Sequence, residues 1–165
     1  VNNAGMSPLY PSVDAITEEL YDKVMDVNMK GPFRLSALVG TRMAGPDHGG
    51  SDGGSIIFVS SSASHRPSPN ELVYGAAKAG INNLTYGLAR TLGPKVRVNC
   101  IAPGPFLTDI SKAWDIDAFE RSARAGFALG RGGQPHEIVG TALYLASDAS
   151  SYTTGAVIDV DGGPR

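Results

Sequence analysis

The stretch Ser55-Ile56-Ile57-Phe58-Val59-Ser60-Ser61, followed after a short gap by Tyr74-Gly75-Ala76-Ala77-Lys78, decides the reading of the fold. Ile56 to Val59 is an unbroken apolar run, the pattern of a strand buried on both faces. From Tyr74 to Leu92 the pattern changes to a helical one. Ala77, Ile81, Leu84, Leu88 and Leu92 lie on one stripe, and Gly93-Pro94 ends it. Strand and helix alternate outward from here, which predicts an α/β chain with a parallel sheet covered by helices. Val96 to Ala102 reads as a second buried strand stopped by Pro103-Gly104, and Val157 to Val160 as a last strand before Asp161-Gly162-Gly163. Val1 reads as the tail of another strand. Thr17 to Met43 is expected to be helical, with Leu20, Val24, Val27, Leu35, Leu38 and Met43 inward and a kink at Gly31-Pro32. Gly45 to Gly54 reads as a loop. Pro105 to Gly133 is irregular around a short helix near Asp117 to Ala125. Pro135 opens a further helix that turns Ile138, Ala142 and Leu145 inward.

With 165 residues, 42% hydrophobic and 18% charged, the chain is expected to be one domain or part of one. A net charge of -2 without long runs of either sign argues against a nucleic-acid or basic membrane-surface footprint. No apolar stretch approaches the roughly 20 residues that span a bilayer. The single cysteine, Cys100, precludes an intrachain disulfide and fits a reducing compartment, the cytoplasm. It sits in a strand, where a small buried hydrophobe is expected. His48, His65 and His136 lack metal-ligand spacing, and no metal site is expected.

Tyr74 and Lys78 are four residues apart on a helix and so share a face. A free tyrosine titrates near pH 10, and a neighbouring ammonium favours its phenolate. Ser61 directly follows the buried strand, at the end where open parallel sheets bind ligands. Its hydroxyl is suited to hydrogen-bonding a carbonyl oxygen as charge develops there. Taken alone, Tyr-x-x-x-Lys also describes a helix-start tyrosine beside a solvated lysine. Ser60-Ser61-Ser62 also describes an ordinary exit from a strand, and Asn28 a polar residue serving a helix kink. Gly49 to Gly54 is glycine-rich, yet it follows a helix and precedes a strand, the reverse of a dinucleotide loop. Ser61 has no Gly-x-Ser-x-Gly elbow, which disfavours a hydrolase triad.

The whole order of motifs resembles the small, single-domain short-chain dehydrogenases/reductases. Asn2-Asn3-Ala4-Gly5 resembles the motif after the family's fourth strand. Asn28 in Val27-Asn28-Met29-Lys30-Gly31, Ser61 after Val59-Ser60, and Tyr74 with Lys78 resemble its catalytic tetrad. Arg97-Val98-Asn99-Cys100-Ile101-Ala102-Pro103-Gly104, with Phe106 and Thr108, resembles the strand and turn at the nicotinamide. Leu129-Gly130-Arg131, Gln134 to Ile138, and Val160 to Gly163 resemble its later motifs. The resemblance implies a Rossmann-like doubly wound sheet, here its carboxyl-terminal two-thirds, and an NAD- or NADP-dependent oxidoreductase acting on a small carbonyl or secondary alcohol.

By the same resemblance, Tyr74 is the general acid or base, Lys78 lowers its pKa and holds the ribose, and Ser61 polarises the carbonyl. Asn28 orders a proton-relaying water. Asn2, Ala4, Gly5, Tyr74, Lys78, Pro103, Gly104, Phe106 and Thr108 contact the cofactor, and the protein forms a dimer or tetramer. Substrate choice is expected in Pro105 to Gly133, where Trp114, Phe119 and Phe127 are apolar candidates. The family's opening strand, glycine-rich turn and dinucleotide-selecting residue are not among these residues. Two alternatives are a non-catalytic scaffold of the same fold, or a sister-branch epimerase or dehydratase. The tetrad weighs against the first, and Asn2 to Gly5 with Asp161-Gly162-Gly163 against the second.

Overall fold

Three parallel strands, β1 (Gly54–Val59), β2 (Val96–Pro103) and β3 (Val157–Val160), lie side by side in that order. The computed structural model describes residues 1–45, 53–109, 111 and 114–164. Most of the glycine-rich run, with His48 and Lys112, lies outside the described residues. Phe58 pairs with Cys100, and Cys100 with Val157, so the sheet is in continuous register. Asn2 adds a further parallel partner to β1. Its N–H donates to the Ile57 carbonyl at 2.8 Å, and Val59 N–H donates to the Asn2 carbonyl at 3.0 Å. The strand tail expected at Val1 is therefore present at Asn2.

Parallel neighbours need crossovers, and helices supply them. α1 (Glu18–Met25) and α2 (Gly31–Ala44) precede β1, and α3 (Leu72–Leu92) joins β1 to β2. α4 (Ile116–Gly126) and α5 (Val139–Ala146) lie between β2 and β3. Successive strand residues face opposite sides, so the core has two halves. Ile56, Phe58, Val96, Val98 and Cys100 pack with Ile81, Ala89 and Leu92 of α3. Ile57 and Ile101 pack on the other face with Leu145, backed by Ile138 and Ala142 as the helical pattern predicts. Arg97 holds the α5 end, donating to the Leu145 and Ser147 carbonyls at 3.2 and 3.1 Å. No helix among the described residues is long and apolar enough to cross a membrane.

The expected Thr17–Met43 helix is corrected in two ways. Thr17 is a cap rather than a helical residue, its Oγ1 accepting from Leu20 N–H at 3.2 Å. The interruption is a wide π-helical turn over Asp26–Lys30, just ahead of Pro32, which has no N–H to give the Asn28 carbonyl four residues back. Beyond it, Leu35 and Leu38 are 53% and 67% exposed, while Ser36 and Gly40 are buried. The cause is close packing: a Cβ on Gly40 would lie 2.5 Å from Leu92 Cδ1 and 3.1 Å from Ile56 Cδ1. Only small residues fit that side, so the leucines face outward.

α4 starts one residue earlier than expected, at Ile116, capped by Asp115 Oδ1 accepting from Ala118 N–H at 2.9 Å. The Pro135 helix begins as a tight 3₁₀ turn (Pro135–Ile138) that leads into α5. Phe58 is fully buried at the centre of one core half. Phe58→Ala is expected to lower the unfolding free energy by about 3–5 kcal/mol, read from urea denaturation.

Candidate active site

At its end β1 turns sharply. Ser60 stays buried, its Oγ donating to the Lys78 carbonyl at 3.0 Å. Ser61 turns outward into a 3₁₀ turn (Ser62–Ser64), its Oγ accepting from Ala63 N–H at 3.1 Å. Of the two, Ser61, the candidate that the family resemblance selects, is the one turned away from the core. α3 can approach the turn because residue 75 is glycine: a Cβ there would stand 2.9 Å from the Ala63 carbonyl oxygen. Tyr74 is thereby brought beside the Ser61 side chain, which favours its phenolate. The sequence motif contained Gly75, but only the packing gives it a reason.

Lys78 is 3% exposed, and its Nζ donates to the Val59 carbonyl at 2.8 Å. That nitrogen stands 5.5 Å from the centre of the Tyr74 ring. Burial disfavours the ammonium and pulls Lys78 down to about 8. The expected acidification of Tyr74 is not the net result in this structure. Burial raises its pKa first of all, the Ser61 hydrogen bond lowers it, and the Glu71 carboxylate raises it further. Desolvation of the phenolate thus outweighs the favourable interactions. Cys100, fully buried beneath the site, is pushed up to about 11, chiefly by burial, which keeps it an inert thiol.

The Asn2-to-Gly5 turn crosses the same spot. A Cβ on Gly5 would lie 3.0 Å from Asn28 Oδ1 and 3.4 Å from Lys78 Nζ. Asn28 is fully buried in the π turn. Its amide donates to the Met6 and Val24 carbonyls at 2.9 and 2.8 Å, and its Oδ1 accepts from Met6 N–H at 3.2 Å. The side chain therefore serves both the kink and the turn. Ala4 is exposed beside Gly5. The Asn2 side chain points elsewhere, donating to Ser36 Oγ at 3.1 Å, so its contribution here is the course of the backbone.

Val59 pairs with Ile101, so Ser61 and Pro103 leave neighbouring strands at the same level. Gly104 abuts Asp161, where a Cβ would meet its Cα at 2.8 Å. Phe106 bridges to Gly133, and Thr108 lies exposed just after it. Trp114 stacks on Phe119 with centroids 5.2 Å apart, and Phe119 in turn covers Gly132. The sequence reading missed the link from the serine turn to β3. Arg66 pairs with Asp161, and His65 Nε2 lies 3.4 Å from Asp159 Oδ1. Residues so distant in sequence leave no local signal. His136 is exposed, and no cluster of three or more metal-ligating side chains occurs among the described residues.

The profile of the family described as Enoyl-(Acyl carrier protein) reductase matches residues 1–164. The chain is 38% identical over 165 residues to the Bos taurus protein named Dehydrogenase/reductase SDR family member 4, covering 99% of this chain and 57% of that one. The chain belongs to the short-chain dehydrogenase/reductase family. It is also 40% identical over 168 residues to the Chlamydia trachomatis 3-oxoacyl-[acyl-carrier-protein] reductase FabG, covering 99% of this chain and 63% of that one. An Agrobacterium tumefaciens protein solved with bound NADP superposes with a TM-score of 0.89 at 31% identity, covering 98% of this chain and 64% of that one. The chain thus spans about three-fifths of the length of these relatives.

Beside Lys78 the turn leaves room for a bound group. Gly5 leaves open a space that any Cβ would fill against Lys78. An ammonium carries three donors, one of which is spent on Val59. Between about pH 8 and the ordinary lysine value of 10.5 the folded chain binds fewer protons at Lys78 than the unfolded chain. Stability is therefore expected to rise with pH through the lower part of this window, until Cys100, shifted the opposite way, offsets it above about pH 9. Urea unfolding of the full-length protein at pH 7.5 and 9 should show the rise, and Lys78→Met should abolish it.

Proposed function

We propose that this chain forms the nicotinamide and substrate side of an oxidoreductase that moves a hydride between NAD or NADP and a carbonyl or secondary alcohol. The observation that carries the reading is the meeting of the Ser61 hydroxyl, the Tyr74 phenol and the Lys78 ammonium beside Gly5, where β1 and β2 leave the sheet. The nicotinamide supplies or accepts the hydride. Ser61 hydrogen-bonds the substrate oxygen and orients it. In reduction Tyr74 gives its proton to that oxygen, and in oxidation it takes the proton back. A buried phenol held in its protonated form suits the first direction.

Lys78 would hold the ribose with its remaining donors and, while charged, lower the cost of the phenolate. Asn28 holds Met6 and so fixes Gly5. We assign it a proton-relay water on its carbonyl, to which Pro32 can donate nothing. Ala4, Gly5, Pro103, Gly104, Phe106 and Thr108 would line the nicotinamide side, with Asn2 setting the strand that leads there. A 3-oxoacyl thioester, a sugar or polyol, or a steroid-like ketone is the class of substrate, chosen by residues 105–133. The free, buried Cys100 supports a reducing compartment, the cytoplasm.

In the full-length protein, Tyr74→Phe is expected to lower turnover about 100-fold or more while leaving the fold intact. A coupled absorbance assay with both dinucleotides and a panel of ketones and alcohols reads this. Turnover unchanged in Tyr74→Phe would overturn the role given to Tyr74, and no turnover in the unmutated protein would favour the scaffold alternative.

We also infer a homodimer or homotetramer. Support comes from the outward side of α2, where Phe33, Leu35, Leu38 and Val39 are exposed. Leu38→Glu is expected to shift the protein to a smaller species in light scattering after size exclusion, with its circular dichroism unchanged.

A further inference from the structure

The helix that carries Tyr74 and Lys78 begins without a cap of its own: Glu71, at the N-cap position, makes no side-chain capping bond. An uncapped start leaves backbone N–H groups without partners. The first helical N–H, that of Leu72, instead donates to the Tyr10 hydroxyl at 2.7 Å. The same hydroxyl donates to the Pro69 carbonyl at 2.9 Å. A phenol can do both at once, and a phenylalanine could do neither. Tyr10 is 62 residues away in sequence from the amide it caps.

Tyr10 belongs to a strap, residues 6–16, that leaves the Gly5 turn and crosses the start of α3. The strap is tied at Met6 by both polar groups of the Asn28 side chain and at Ser7 by a 3.3 Å bond to Glu71 Oε1. Its Pro8, Tyr10 and Ile16 meet Leu20 and Val24 of α1 against Tyr74, around a cavity of about 10 Å³. That is at or below the roughly 10–15 Å³ that a single water needs. The strap therefore covers the flank of Tyr74 with carbon, and Tyr10 is its fastening.

We propose that Tyr10 is a positioning residue: its hydroxyl latches the strap to the first turn of α3 and so keeps the Tyr74 phenol in a dry, fixed place. This rests on the reading of Tyr74 as the proton donor, and it adds the group that sets its surroundings. From the strap and α1 the groups facing Tyr74 are apolar apart from the Tyr10 phenol. Its charged neighbours, Lys78 and Glu71, stand on its own helix and at its start, and Ser61 faces it from the turn after β1. Burial is the main cause of the upward shift of Tyr74, so loosening the cover should bring it back toward the ordinary value.

The test is a pH titration of the full-length protein carrying ¹³Cζ-labelled tyrosine, followed by NMR, with the Tyr74 resonance assigned by its loss in Tyr74→Phe. Tyr10→Phe is expected to move the Tyr74 midpoint down toward about 10. Ile16→Ala, which thins the same cover without touching the latch, should move it in the same direction and serves if Tyr10→Phe does not fold. Tyr10→Phe combined with Glu71→Asp, which supplies a local cap, should regain the stability lost in Tyr10→Phe while the midpoint stays low. A Tyr74 midpoint unchanged in folded Tyr10→Phe overturns the proposal, whatever happens to stability, as does an unchanged midpoint in Ile16→Ala should Tyr10→Phe not fold. The titration needs neither cofactor nor substrate, so it reads separately from the enzyme assignment, which Tyr74→Phe turnover decides. Where turnover is present, Tyr10→Phe is expected to lower kcat on the order of 10-fold with little change in KM.

Discussion

A lysine ammonium taken almost wholly out of water is the constraint around which the rest of this structure is arranged. Lys78 can remain inside only because the Val59 carbonyl, freed at the end of β1, accepts from it. The same strand end returns the bond, Ser60 donating to the Lys78 carbonyl one residue later. Strand end and helix are therefore tied together where β1 gives up its regular hydrogen bonding. Tyr74, one turn earlier on α3, is carried with them, and so is its distance from Ser61. The cost is visible in the downward shift of Lys78, and strongly perturbed groups of this kind cluster at functional sites.

Close approach, achieved by omitting side chains, is the second theme. Gly75 lets α3 meet the serine turn, and Gly5 lets the Asn2-to-Gly5 turn pass close to Asn28 and Lys78. Gly104 lets β2 end against Asp161, and Gly40 lets α2 settle on β1 and α3. At Gly75, Gly5 and Gly40 the close neighbours belong to α3, to β1 or the turn after it, or to the candidate residues Asn28 and Lys78. Bulky residues are displaced outward as a result, which is why α2 presents its leucines to the surface. The geometry that shapes the site and the exposed apolar face of α2 share one cause.

Much of this was legible along the chain. The apolar run Ile56 to Val59, the stripe from Ala77 to Leu92 and the late helix with Leu145 inward are periodic signals that tertiary packing obeyed. Ser61, Tyr74 and Lys78 stood out because chemistry of a known kind needs those groups on adjacent elements. The misreadings have a common source. Leu35 and Leu38 were expected inside because hydrophobicity alone does not say which side of a helix must come close to a sheet. Lys78 was expected to acidify Tyr74 because proximity of charge can be read from spacing, whereas depth of burial cannot.

By itself, then, the sequence determined the order of elements and their parallel pairing, since these follow from local periodicity, and it named the candidate groups Ser61, Tyr74 and Lys78 through the order of its motifs. Only the tertiary structure decided which way α2 faces, how far Tyr74 and Lys78 are desolvated, and that Tyr10 caps a helix 62 residues further on. Those depend on contacts between segments distant in the chain. No local pattern encodes a contact whose partners meet only after the sheet and its helices have packed.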